Sequence, residues 1–393
     1  MAGRPPPLLS SAFRPFYLLG ALYAPLLTAA WLGAYLGLWD VPSVGTPLRL
    51  WHGHEMIFGF AAAIIAGIVL TALPSWAGTE EIRGGRLALL VLIWLFGRIA
   101  FWAAPWLPPL IPAAIDLLLF PALFLLLAPQ LARAGNRFYL LLLPILLALA
   151  AANAAYHAGI LTARSHLAGL GLRGALYAIV VLYVLKGGVL TPIFTGNALR
   201  EKGRGEQAPF NLELELLAVA VVLLLAVLDL VGAPSPWTGL AALACAGVHA
   251  ARAARWRGWR LPDVPLVFVM HLGFAWLVFA FALKAAAELA GLVPEAAWVH
   301  AFTVGSLGLM MLGLMTRVSL RHTGRPLVVP AEMKAAYAIM FVAALVRLAA
   351  TVHGLGDWAV ALAAVLWGLT FLLYLLCFGA MLLQPSLPPR EKP

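Results

Sequence analysis

The sequence predicts an all-α integral membrane protein of about twelve transmembrane helices in one bundle, and three observations carry that prediction. Hydrophobic residues fill 63% of the 393 positions and charged residues only 11%, too few charges to cover a globular surface in water. Mean hydropathy is +0.96, and apolar windows of about 20 residues, long enough to cross a hydrocarbon core of roughly 30 Å, recur along the whole chain. These stretches do not alternate as membrane-barrel strands would, and at this hydrophobicity only helices satisfy every backbone group within lipid.

In order, the expected spans are 16–38, 48–73, 87–104, 107–131, 138–162, 170–194, 214–231, 237–254, 264–290, 293–315, 333–353 and 358–383. The first follows Arg4 and three prolines. It is longer than the apolar run of a signal peptide and lacks a small-residue cleavage site, so it reads as an uncleaved helix. The second opens with Trp51-His52-Gly53-His54-Glu55, and the fifth carries His157 near its end. The sixth closes in Thr191-Pro192-Ile193-Phe194-Thr195-Gly196-Asn197, ahead of the longest polar stretch, 197–211, which has room for a loop and little more. Cys245 and Cys377, in the eighth and twelfth spans, read as small apolar fillers rather than a disulfide. No soluble domain fits, so residues 1–393 read as a single membrane domain. The short tail at 384–393, with Pro385, Pro388, Pro389 and Pro393, should be irregular and exposed.

The formal charge of +10 does not point to nucleic acid, because the basic residues sit in short loops and form no contiguous stripe. They report topology instead. With the amino terminus cytoplasmic, one face collects most of them, from Arg4, Arg14, Arg83, Arg86, Arg133 and Arg137 through Arg252 to Arg390 and Lys392. The other face keeps little beyond Arg49, Arg164 and Arg173. The positive-inside rule then places both termini in the cytoplasm.

Ionisable groups inside spans are expensive in lipid and usually face the bundle interior, so they are the candidate functional residues. His52 and His54 open the second span. Two positions apart on a regular helix they point about 200° apart, so they should serve different partners. One would be an axial haem ligand or a copper ligand, the other a member of the surrounding shell with Glu55; the alternative is a plain interfacial pair beside Trp51. His300 begins the tenth span at a comparable depth, as two ligands of one group would require. His157, His166 and His353 reach the same face as weaker candidates. At the opposite face lie His271, His322, Arg14, Arg317 and Arg325, where arginines would pair with propionates, another anion or lipid phosphates, or simply anchor the loops. His249, beside Arg252 and Arg255, reads as a surface residue. Lys284 and Glu288 have the spacing to neutralise one another, whereas Arg98, Lys186 and Arg347 show no evident partner.

Four pieces of sequence, Phe13-Arg14-Pro15-Phe16, the WHGHEMIFGF of 51–60, the PIFTGN of 192–197 and the run from His300 through MTRVSLRHTGRPL to Leu327, occur in an order that resembles the NnrS family of bacterial membrane proteins. The resemblance implies haem, of b type, and copper in a multi-pass protein of the bacterial inner membrane. It implies a part in nitric oxide or nitrosative-stress metabolism and denitrification, acting on nitric oxide or a similar small uncharged molecule. The electron donor stays open between a quinol, a cytochrome and none at all. The ligand pool is His52, His54, His271, His300 and His322. The reaction stays open between a nitric oxide reductase-like oxidoreductase and NO binding alone, with a secondary transporter or metal-handling protein as the alternative class.

Overall fold

The computed structural model describes residues 5–42 and 46–388; Arg4, Arg390 and Lys392 of the charge pattern and Pro389 and Pro393 of the tail lie outside them. The described residues contain no strand. Among the described residues ten helices are long and apolar enough to cross a membrane: α1 (Phe13–Tyr35), α2 (Leu48–Ala77), α3 (Gly85–Trp102), α4 (Leu110–Arg133), α5 (Arg137–Leu161), α6 (Ser165–Glu201), α9 (Pro265–Ala290), α10 (Ala296–His322), α11 (Ala331–His353) and α12 (Asp357–Leu383). Between α6 and α9 lie α7 (Leu212–Leu230) and α8 (Ser235–Arg255), of 19 and 21 residues; α7 carries Glu213, Glu215 and Asp229, and α8 is less apolar than the other helices around it. Each helix overlies an expected span.

The largest departure is α6. Its 37 residues run through Pro192 and continue to Glu201, so the segment 197–201, expected as loop, is helical. Proline is tolerated in apolar helices where neighbouring groups satisfy the freed backbone. At about 1.5 Å per residue α6 is long enough to extend well beyond a hydrocarbon core.

Contacts divide the chain into two compact units, one of residues 1–178, 318–328 and 374–393, the other of 179–317 and 329–373. In the first, α1 packs along α2, where Gly67 lets the Tyr17 ring approach; a methyl there would stand 2.8 Å from its Cε1. The start of α4 lies on α3, and its remainder on α5. Arg14, 1% exposed, donates from Nη1 to the carbonyls of Leu382 (2.9 Å) and Gln384 (2.6 Å) and from Nη2 to Ser386 Oγ (2.9 Å). It thereby caps the last turn of α12, whose carbonyls have no partner within the helix. The tail at 384–388 is irregular and exposed as expected, yet it is pinned, since Leu387 N donates to Thr323 O at 2.9 Å. Arg14→Ala is expected to cost about 2 kcal/mol, because it removes charge-assisted hydrogen bonds. Faster hydrogen exchange confined to the end of α12 and the tail would check it.

In the second unit α8 packs along α9 with α7 beside it, and α10 lies against α9 and α11. Lys284, fully buried, bonds Asp229 (2.7 Å) and the expected Glu288 (2.9 Å). Arg204 pairs with Asp263 between two loops; its hydrogen bonds hold that carboxyl down to about 2.

Two helices are not regular. In α2 the residues Glu55–Ala61, and in α10 the residues Ala301–Leu307, form π turns, each starting directly after a histidine. Such turns widen the helix by one residue and are frequent at functional sites.

Candidate metal centre

The first unit gathers the chemistry at the π turn of α2. Within the wide turn, the Gly59 carbonyl accepts from Trp94 Nε1 at 2.9 Å. Gly59 itself makes room: a methyl there would stand 2.8 Å from Tyr23 Cε1 and 3.3 Å from both Arg98 Nη1 and Glu55 Oε2. Into that room α1 sends Tyr23, α2 Glu55 and α3 Arg98. Arg98 pairs with both Glu55 and Asp116, Tyr23 donates to Glu55, and Trp102 Nε1 donates to the Tyr23 hydroxyl at 2.7 Å. Arg98, expected to lack a partner, is therefore the counter-ion of two buried carboxylates.

His54 sits at the centre with no exposure. Its ring lies between Phe101 (4.3 Å between centroids, 12° between planes) and Tyr156 (4.3 Å, 29°). Nδ1 lies 3.0 Å from Glu55 Oε1, and Nε2 lies 3.1 Å from both Asp116 Oδ2 and Asn153 Oδ1. From α5, Asn153 Nδ2 donates to Asp116 Oδ2 at 2.8 Å and His157 Nε2 reaches the same oxygen at 2.8 Å. Asp116 ends the first part of α4, where the helix breaks at 117–118, and that break turns its carboxylate inward.

Two imidazole nitrogens and a carboxylate oxygen, from His54, His157 and Asp116, thus lie within 4.8 Å of one another, all buried. Ligand distances of about 2.0–2.2 Å suit donors spaced in this way around one ion. The charge balance points the same way. Glu55 and Asp116 outnumber Arg98, so the cluster needs one more positive charge, from a proton on an imidazole or from a bound cation, to be neutral in lipid. On the far side of Asp116, bordered by Phe58, Trp94, Arg98 and Asn153 and by neither histidine, a space of about 10 Å³ has room for a water molecule. A porphyrin does not fit beside His54, since the Phe101 and Tyr156 rings cover both its faces and leave no room for a flat macrocycle.

The chain matches the NnrS protein family over residues 7–386. It belongs to the NnrS family. The comparison with curated proteins returned no match.

In this NnrS protein only His54 of the expected ligand pool joins the cluster. His52 stacks on Trp31 at 4.4 Å, on another side of α2 as their spacing predicts, though the helix beyond them is not regular. His271 approaches Thr195 Oγ1 at 2.8 Å and lies against Gly258, where any side chain would overlap its ring. His300 has Nδ1 2.8 Å from Ala296 O, and Arg347 donates to its Nε2 at 3.0 Å, so Arg347 also has a partner. His322 is exposed beside Phe13, at 5.8 Å between rings. Arg14 is taken up by the end of α12, Arg317 lies 3.6 Å over the Phe194 ring, and Arg325 keeps Nη1 buried without an acceptor among the described residues. His249 corrects the surface reading: it is fully buried and stacked on Phe281 at 5.5 Å, because α8 turns it toward α9 rather than outward. His166 and His353 are exposed, and both cysteines are free.

Asp116 and Asn153 were missed by sequence reasoning. Asp116 is the only charged residue in the expected span 107–131, and the cost of a carboxylate in lipid was the signal available.

Proposed function

We propose that this NnrS protein is a copper-bearing membrane protein of nitric oxide metabolism, with the ion held by His54 Nε2, His157 Nε2 and Asp116 Oδ2. The observation that carries this reading is the buried cluster of two imidazoles and a carboxylate, one positive charge short of neutral. The association of the family with haem, copper and nitrogen oxides supplies the substrate class. Copper bound there would supply one-electron chemistry toward a small diatomic molecule. The chain's own residues have separate tasks. Glu55 fixes the His54 ring through Nδ1, Asn153 orients the Asp116 carboxylate, Arg98 compensates charge, and Phe101 and Tyr156 keep water from the imidazole. An uncharged diatomic reaches such a site through lipid and needs no polar entrance. The b-type haem that the family implies has no seat beside His54, and the proposal leaves it to His52, His271, His300 and His322. The same reading takes all twelve helices as spans of one membrane domain, with both termini cytoplasmic in the bacterial inner membrane.

The purified protein is expected to hold one copper per chain, by metal analysis, and to lose most of it in His157→Ala and Asp116→Asn, with His353→Ala unchanged. Full copper in both site variants would overturn the assignment. Consumption of nitric oxide by the reduced, loaded protein tests the function itself. A second reading, transport, is favoured by the buried Lys284 with Asp229 and Glu288, a group suited to a relay. Solute counterflow in proteoliposomes that persists without metal would support it.

A further inference from the structure

We propose that the second unit holds a built site for a membrane phospholipid whose headgroup carries both a phosphodiester and a hydrogen-bond donor, as phosphatidylglycerol and phosphatidylethanolamine do. This inference is independent of the metal centre. A cavity of about 320 Å³ lies among the end of α6, the start of α7, the end of α8 and the segment 207–211. Small-molecule sites begin at about this size.

The lining holds three guanidiniums against one carboxylate. Arg252, 1% exposed, is built into the wall. It donates to Glu215 from Nε at 2.9 Å and again from Nη2, and to Val184 O from Nη1 at 3.1 Å. It also lies across Gly188, where any side chain would overlap the guanidinium, so that glycine is what admits it. Glu215 neutralises Arg252 and leaves the charge of Arg200 and Arg255 unbalanced. Each of these two spends one donor on holding its place: Arg200 Nη2 on Asn197 Oδ1 at 2.7 Å, and Arg255 Nη2 on Pro209 O at 3.2 Å. Their remaining N–H groups are available to a phosphate, which guanidinium forks match well.

A bare anion does not satisfy the rest of the cavity. Gln207 Oε1 is buried and receives no hydrogen bond among the described residues, so a hydroxyl or ammonium group on the ligand would supply the donor it lacks. Apart from Asn211, which caps α7, the remaining wall is apolar, with Val189 and Trp256 inside and Ile193 (51% exposed) and Phe210 (73% exposed) at the border. In a chain that spans a membrane, such side chains at a helix end adjoin hydrocarbon and suit the acyl chains of the same molecule. Phosphate, donor and apolar chain together describe a phospholipid and not a soluble phosphate ester.

The test is native mass spectrometry of the full chain, delipidated in detergent and titrated with phosphatidylglycerol, phosphatidylethanolamine, phosphatidylcholine or inorganic phosphate. One molecule of either donor-bearing lipid should bind, at least about tenfold more tightly than phosphatidylcholine. The double variant Arg200→Gln with Arg255→Gln should lose about tenfold or more, while Arg133→Gln with Arg137→Gln, both exposed where α4 ends and α5 begins, should stay within about twofold. Gln207→Leu should erase the preference for donor-bearing headgroups and leave phosphatidylcholine binding unchanged, a readout that needs only this single change. Equal binding of all lipids, equal losses in both double variants, or displacement of the lipid by millimolar inorganic phosphate would each overturn the proposal.

Discussion

Arg98→Leu is expected to cost the protein most of its folded yield, with a loss of about 3–5 kcal/mol, the range measured when one partner of a buried ion pair is removed. Arg98 is 5% exposed and serves both Glu55 and Asp116, which are themselves buried. Leucine keeps the apolar bulk and strands two carboxylates beside an imidazole. The remedy distinguishes this account from a packing defect. Combining Arg98→Leu with Glu55→Gln and Asp116→Asn removes all three charges together and should restore folded protein while leaving it without copper. Size-exclusion profiles and thermal midpoints of the two variants check it, and a triple variant no better folded than the single one would show that packing, not charge, is at issue.

Gly171→Val should produce the next largest effect, about 3 kcal/mol, together with loss of metal. At Gly171 a methyl would stand 2.5 Å from the Ala152 carbonyl oxygen and 2.7 Å from the Tyr156 nitrogen. Both are backbone atoms and cannot swing aside, so α5 and this part of α6 must separate. The displaced stretch of α5 carries Asn153, Tyr156 and His157, so the cost falls on the cluster as well as on the packing. Gly174, one turn along the same helix, has its nearest neighbour at 3.8 Å, an ordinary contact. Gly174→Ala should therefore change neither thermal midpoint nor copper content, and a matching loss in both variants would contradict the close-approach argument.

The membrane architecture was legible because hydropathy responds to lipid residue by residue, and every long helix overlies an expected span. The end of α6 was harder to read, since the polar residues from Asn197 read as loop while the helix carries the first of them on to Glu201. The site was less legible. His54 and Glu55 announce themselves through cost, and so does Asp116 once an acid in lipid is treated as seriously as a histidine. Their convergence with Asn153 and His157 depends on how α2, α4 and α5 pack, and no periodicity in the chain records that. The pairing of Arg98 with two acids, and of Lys284 with Asp229 as well as Glu288, was hidden for the same reason: the partners are 43, 18 and 55 positions apart. The π turns were illegible too, because one extra residue in a turn leaves no mark on apolar composition.

The stacking of His54 between Phe101 and Tyr156 bears on when an ion can enter. With the imidazole fully buried between two rings, exchange in the finished protein is expected to wait for α3 and α5 to part, a motion as rare as local unfolding. Loading would then belong to biogenesis, while the helices are still docking. Mature protein should shrug off external chelators for hours, and cells starved of copper during synthesis should make chains that later supplementation cannot repair.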